Sequence, residues 1–343
     1  MLDIYLETEA QTIIKIADKN KSVLIIGDAD SDYALNTIKY YDSTKKARSD
    51  YKGGKLIDAF DAAKEFQAEF VFLLNLKEKV DYIDLIDILK QYDFAYITPV
   101  NLYISDYFYD LNRGNKRVYY AQDYLERASV FNDSTLILTD KHASLYEDID
   151  VYLDEMKKQC GPITGVVNTG SKGNNLIYVA NNLKDYPYSN VVLASILTTT
   201  DLGEYPSIKE LDVVFDMDDF DVGEFPIVYF KNNFQTKTTI ENLINFEKFN
   251  PIFKSVFVDR ILKYISRTYD LSKYTGKLYT PHQKILIEKE IETYFESLTN
   301  WIIRKFEIET VVFYKEDVGV GRVESTVSIW PKSTTEKYRL VVK

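Results

Sequence analysis

Three short apolar runs constrain this chain more than anything else in it. Val23–Ile26, Phe70–Leu74 and the segment FAYITPV at 94–100 are nearly unbroken stretches of aliphatic and aromatic residues; Gly27 ends the first and Pro99 stops the last. Strands without polar alternation are buried on both faces, which is how a parallel sheet covered by helices reads. The segments between them have helical spacing. Leu56, Ile57, Phe60, Ala63, Phe66 and Gln67 follow the Gly53-Gly54 pair, and Ile83, Ile86 and Leu89/Lys90 stand in register within DYIDLIDILKQY. Strand, helix, strand, helix, strand is a βαβ rhythm. Residues 22 to 110 therefore predict an open α/β sheet with right-handed crossovers.

The rhythm continues more loosely. STLILTD (134–140) reads as a strand, LYEDIDVYLDEMKKQ as a helix, and PITGVVNT as a strand that leads through a polar loop at 168–175 into LIYVANNL. NVVLASILTT is apolar enough for either a strand or a buried helix. Residues 201–235 are rich in Pro, Gly and Asp, which predicts short strands between turns.

Beyond residue 250 two amphipathic helices dominate. Ile261, Leu262, Ile265 and Tyr269 share one face of the first. The second opens on Thr280 as N-cap, Pro281 at N1 and Gln283 at N3, a capping box. Its apolar face runs through Ile287, Ile291, Tyr294/Phe295, Leu298 and Trp301/Ile302. Glu288, Lys289, Glu292 and Glu296 line the opposite face, most simply a solvated surface. Two strands then flank DVGVG, and in the second Val327 and Ile329 alternate with Thr326 and Ser328 up to Pro331.

Both ends of the sequence are strand-like. Leu2, Ile4 and Leu6 alternate with Asp3, Tyr5 and Glu7; Tyr338, Leu340 and Val342 alternate with Lys337, Arg339 and Lys343, apart from Val341. Chain ends usually fray. Strands without a partner at home present unpaired N–H and C=O groups, and another chain's sheet edge satisfies them. Arms donated head-to-tail build rings or helical filaments. The expected fold class is α/β (α+β). An arm and linker (1–21) precede an open α/β sheet domain (22–240). A C-terminal core domain of two helices packed on a β-sheet (241–332) and a second arm (333–343) follow.

Composition removes several functions. A net charge of -11 over 343 residues disfavours nucleic acid or an anionic membrane as main partner, since both call for a basic field. No apolar run reaches membrane-spanning length and no basic-then-apolar leader opens the sequence, so neither membrane insertion nor secretion is expected. Cys160 stands alone, which excludes an internal disulfide and fits a reducing cytoplasm. With only His142 and His282 beside it, zinc binding or thiol catalysis is not expected.

The one stretch that invites a catalytic reading is VLIIGDADSD. It lacks the glycines of a dinucleotide loop. As a calcium loop it places Asp28, Asp30 and Asp32 correctly, but has Tyr33 where the turn needs glycine and Lys39 where a bidentate Glu belongs. The competing reading is metal-assisted phosphoryl transfer, with Asp28 as nucleophile and Asp218 and Asp219 as metal ligands. Both acid clusters are also ordinary turn composition. NTGSKGNN at 168–175 lacks the spacing of a phosphate loop, and no G-x-S-x-G occurs. No catalytic residue, metal or cofactor is expected.

Three stretches carry a resemblance. Ile4-Tyr5-Leu6-Glu7 opens the first, IYLETEAQTIIKIADKNKSVLIIGDAD; GGKLIDAFDAAKEFQAEFVFLLNL is the second. The third is the ordered series VDRILKYISRTY, QKILIEKEIETYFESLTNWI and STVSIWPKSTTEKYRLVVK. In these the chain resembles the contractile-tail sheath proteins of bacteriophages and related contractile injection systems, without the Pro-Gly that typically opens the family's N-terminal arm. The resemblance implies a structural virion protein, made in the host bacterial cytoplasm. It implies stacked hexameric rings around an inner tail tube, and contraction by rigid-body rearrangement for genome ejection. Leu2, Ile4, Tyr5, Leu6, Tyr338, Leu340 and Val342 would be inter-subunit arms, and Val327 and Ile329 part of the acceptor sheet. Glu288, Glu292 and Glu296 would face the tube. The N-terminal arm would join the C-terminal domain. Partners would be the tube protein and the baseplate and tail terminator proteins. At 343 residues the resemblance implies a compact sheath protein, without the outer insertions of larger ones.

Overall fold

The computed structural model describes residues 5–16, 20–77, 85, 89, 92, 94–103, 106–110, 117–120, 134–160, 176–202, 204, 206, 208–215, 227–233, 237–241, 256–269, 281–299, 301–315, 321–332 and 338–342. The chain divides into two compact units, Met1–Asp201 with Tyr205–Val256 and Leu202–Glu204 with Phe257–Lys343.

The first unit is built on a ten-stranded mixed sheet. Six parallel strands form its centre, in the order β4 (Phe70–Asn75), β2 (Ser22–Gly27), β5 (Tyr96–Pro99), β8 (Thr135–Thr139), β9 (Leu176–Val179) and β11 (Ile227–Asn233). At one end β3 (Thr37–Tyr41) pairs antiparallel with β4, and β1 (Tyr5–Leu6) pairs parallel with β3. At the other, β12 (Lys237–Glu241) and β10 (Ile208–Lys209) add antiparallel strands. Both edge strands are two residues long, which leaves little unpaired backbone at the margins. A separate hairpin joins β6 (Tyr107–Asp110) to β7 (Arg117–Tyr120).

Alternate residues of β2 sort to opposite faces. Val23 and Ile25 join Val71, Leu73 and the apolar residues of α2 (Thr44–Tyr51), α3 (Lys55–Glu65) and α5 (Ser189–Thr199) in one core. Leu24 and Ile26 join Phe72, Leu74, Ala10 of α1 (Thr8–Ile16) and Tyr152 and Met156 of α4 (Ile149–Cys160) in the other. Helices on both faces are why the runs carry no polar alternation.

Several elements differ from the sequence expectation. Among the described residues of 2–8, the strand is Tyr5–Leu6, and a helix takes over from Thr8. The Gln11 N–H bonds to the Glu7 carbonyl, starting α1, whose Ala10 and Ile13 pack on the sheet. The segment 37–51, which carries no strong period, folds into β3 and α2, with Ser43 as N-cap. NVVLASILTT is a helix, buried along its whole length to Thr198. It tolerates this because Ser195, Thr198 and Thr199 direct their hydroxyls to carbonyls one turn back. Within 81–92 the described Leu85 and Leu89 are helical and buried. PITGVVNT, the loop 168–175 and Thr280 lie outside the described residues.

The second unit is a helix pair on a sheet, as the sequence predicts. α6 (Val256–Thr268) buries Ile261 and Ile265, and Tyr269 follows it; α7 (Pro281–Leu298) buries Ile287, Ile291, Phe295 and Leu298. They pack on β13 (Ile303–Lys315) and β14 (Gly321–Pro331) through Ile303, Phe306, Val327 and Ile329. The Phe295 and Phe306 rings stack 5.7 Å apart. β15 (Tyr338–Val342) completes a three-stranded antiparallel sheet, β13-β14-β15.

Candidate functional site

Open α/β sheets bind ligands beyond the carboxyl ends of their strands, so that edge is where chemistry would sit. Asp28 lies there, after β2, but its main-chain carbonyl accepts the Leu56 N–H at 3.0 Å and caps α3. Its carboxylate stands 3.8 Å from the Lys55 ammonium, and both are partly exposed. The loop is clamped from behind: Asp30 N–H bonds to the Gly53 carbonyl at 3.0 Å and Ser31 N–H to the Tyr51 carbonyl at 3.2 Å. Gly54 has φ +94°, and a Cβ there would meet the Asp28 carbonyl at 2.9 Å. The Asp32 carboxylate pairs with Lys77. Asp218 and Asp219 lie outside the described residues, and no group of three metal-binding side chains occurs among those described.

Among the described residues, the rest of this edge is lined by buried asparagines, a feature without a motif. Asn75, Asn101, Asn181, Asn182 and Asn190 are all buried. Asn75 accepts from the Ala29 N–H at 3.1 Å and donates to the Ser31 and Tyr33 carbonyls. Asn101 donates to Leu76 at 2.9 Å, Asn182 to Phe230 at 2.7 Å, and Asn190 to Pro99 at 2.8 Å. Asn181 donates to the Asp140 and Pro187 carbonyls and accepts from the Ser189 N–H. Asn75, Asn181 and Asn182 use both the donor and the acceptor of the amide, and so complete backbone groups that the strands leave open where they end. His142 also does structural work. Its Nε2 lies 2.6 Å from the Leu183 carbonyl, and its Nδ1 accepts from the Ser144 N–H. His282 is exposed in the first turn of α7.

One carboxyl on this edge is fully enclosed. Asp140 follows β8, and its Oδ1 accepts from the Tyr152 hydroxyl at 3.2 Å and the Asn181 N–H at 3.3 Å. Burial pushes its pKa up to about 7, with those hydrogen bonds opposing the shift. Burial, with Asp140 beside it, pushes the Tyr152 phenol well above its ordinary range.

The terminal strands both have partners within the chain. β1 lies on β3, in the first unit, with Tyr5 opposite Thr37 and Leu6 opposite Ile38. The Glu7 N–H continues the pairing to the Ile38 carbonyl, and the Lys39 ammonium lies 2.8 Å from the Glu7 carboxylate. β15 lies on β14, with Tyr338 opposite Ile329, Leu340 opposite Val327 and Val342 opposite Ser325. The expected acceptor residues Val327 and Ile329 thus meet Leu340 and Tyr338 of the same chain. Leu2 and Ile4 lie outside the described residues. On α7, Glu292 and Glu296 are exposed, and Glu288 is half-buried with Lys284 3.7 Å away. Ile285 and Leu286 are exposed beside them.

No protein-family model matches the chain, and no curated protein matches its sequence. Solved structures do. A sheath tail protein from Desulfitobacterium hafniense superposes with a TM-score of 0.61 at 12% identity, over 95% of this chain and 97% of that one. A sheath tail protein from Listeria innocua gives 0.59 at 10% identity, over 98% of each chain. The sheath of an extracellular contractile injection system, in its contracted state, gives 0.60 at 12% identity over 94% and 92%. The chain has the contractile-tail sheath fold. The likeness covers nearly all of each partner, so this chain is a sheath fold of the same compass, with both units represented. Sequence reasoning found the fold through the order of its elements. It missed the asparagine lining, since a lone Asn after a strand reads as a turn residue.

Proposed function

We propose that this chain is the structural subunit of a contractile sheath. Subunits polymerise as stacked hexameric rings around an inner tail tube, linked by strand exchange, and contract to drive the tube through a cell envelope. The observation that carries this reading is the match to sheath proteins over nearly the whole chain in both directions. The asparagine-lined sheet edge supports a structural role over an enzymatic one. Leu2, Ile4, Tyr5, Leu6, Tyr338, Leu340 and Val342 are the proposed arms, and β14 with Val327 and Ile329 the proposed acceptor. Glu288, Glu292 and Glu296 are the proposed tube-facing residues. The partners are further copies of the chain, the tube protein, and baseplate and tail terminator proteins; the location is a tail or injection particle. Contraction draws on the metastability of the extended lattice. Negative-stain microscopy of the purified protein tests this. Hollow tubes or stacked rings are expected, and a monodisperse monomer at high concentration would rule the reading out.

A further inference from the structure

The β14 edge that the proposed exchange needs is already occupied. Ser325, Thr326, Val327, Ser328 and Ile329 pair in antiparallel register with Val342, Val341, Leu340, Arg339 and Tyr338 of the same chain. A strand edge holds one partner at a time, because each backbone N–H and C=O on that side is used once. The strand that β15 covers is a buried one: Val327 and Ile329 pack on the helix pair, and Ser328 on the other face is equally buried, bonded to Glu309 of β13. Withdrawing β15 would leave the backbone groups along that edge of β14 without their partner strand.

The connection is longer than closure requires. Two residues suffice to join antiparallel strands, whereas six, 332 to 337, lie between Pro331 at the end of β14 and Tyr338 at the start of β15. Six extended residues reach about 20 Å. The tether is long enough to carry β15 away from its own sheet without unfolding β14.

From these observations, and resting on the sheath-subunit reading, we propose that β15 is a self-cap: in the free chain it blocks the β14 edge, and it must be released before subunits can link. The strand pair lost at home is the same pair gained between copies, so exchange conserves it, and the barrier is kinetic. Free chains then link after a lag, which a growing end shortens by taking up the strand. Exchange of an identical element between copies is a low-cost route to assembly once a hinge opens.

A reversible lock tests this. Thr326 and Val341 are directly opposed on the face of β14 away from the helices. Directly opposed antiparallel residues have Cβ atoms about 4.5–5.5 Å apart, a small closing movement from the roughly 3.5–4.5 Å that a disulfide spans. In a Cys160→Ser background, Thr326→Cys with Val341→Cys is oxidised as monomer and compared with its own reduced form. We expect the oxidised protein to remain monomeric and form no tubes, and the reduced protein to assemble as wild type does. Tubes from the oxidised protein would overturn the self-cap while leaving the subunit reading standing. Failure of wild type to assemble under any condition would sink the subunit reading, and the self-cap with it. Hydrogen exchange gives a lock-free check on the monomer. Slow exchange at the β15 amides that face β14 is expected, and exchange at the unfolded-chain rate overturns the proposal.

Discussion

Asp140 is the residue where folding and pH are most tightly joined. Its carboxyl is fully buried, and the Tyr152 hydroxyl, the Asn181 N–H and the Tyr178 side chain hydrogen-bond to it. The folded-state pKa of about 7 lies above the ordinary 3.8, so the folded chain binds this proton more tightly than the unfolded chain does. That contribution to stability is complete below pH 4 and is lost as pH rises through 7. It amounts to at most about 4 kcal/mol. Asp140→Asn keeps the shape of the neutral acid without the charge. Thermal unfolding of wild type should therefore lose stability between about pH 4 and 7, and the variant should lose distinctly less. Parallel pH profiles for the two proteins would show that Asp140 does not titrate in this range.

The joint between β2 and α3 shows what an element demands of one position. A Cβ on Gly27 would stand 2.4 Å from Val100 Cγ2 and 3.6 Å from the Leu56 backbone. Glycine is there because a helix and a neighbouring chain segment close over the end of the strand. Gly27→Ala should cost about 1–3 kcal/mol in chemical denaturation through overpacking. Adding Val100→Ala should recover part of that loss, giving a non-additive pair; simple additivity would place the strain elsewhere. In the sequence Gly27 reads as a strand end, and only the packing gives its reason. The same holds more widely. The buried strands and the α6–α7 pair were legible because burial on both faces, or on one helical stripe, imposes a period on the residues. β3 and α2 were not, because TIKYY mixes lysine with tyrosine at the sheet's margin and STKKARSDY buries only Ala47 and Tyr51. α1 was hidden because the alternation read at 2–8 runs up to the residue where the helix starts. The two ends read as strands seeking partners. Which partner they take is a competition between equivalent edges, and side-chain alternation cannot decide it.

At the scale of the whole molecule, strand exchange trades one pair for an identical one, so it cannot by itself drive assembly. The drive must come from the other surfaces that meet when subunits stack, and it works against like charge. Each chain carries -11, so a six-membered ring of the kind proposed would concentrate -66 in one layer. Repulsion of this kind is screened over about 10 Å at 0.1 M salt and about 3 Å at 1 M. If apolar and hydrogen-bonded contacts hold the rings, raising NaCl from about 0.05 M to about 0.5 M should shorten the repulsion and lower the concentration at which tubes appear, as read by pelleting or light scattering. If the interfaces are instead built on complementary charge, salt weakens them, and the threshold rises. The acidic face of α7 separates the two cases further. Neutralising Glu288, Glu292 and Glu296 to Gln removes charge that the first case counts as pure repulsion, so tubes should form at lower salt than for wild type. An unchanged threshold would place those residues away from contacts between copies, where an approaching tube protein could meet them.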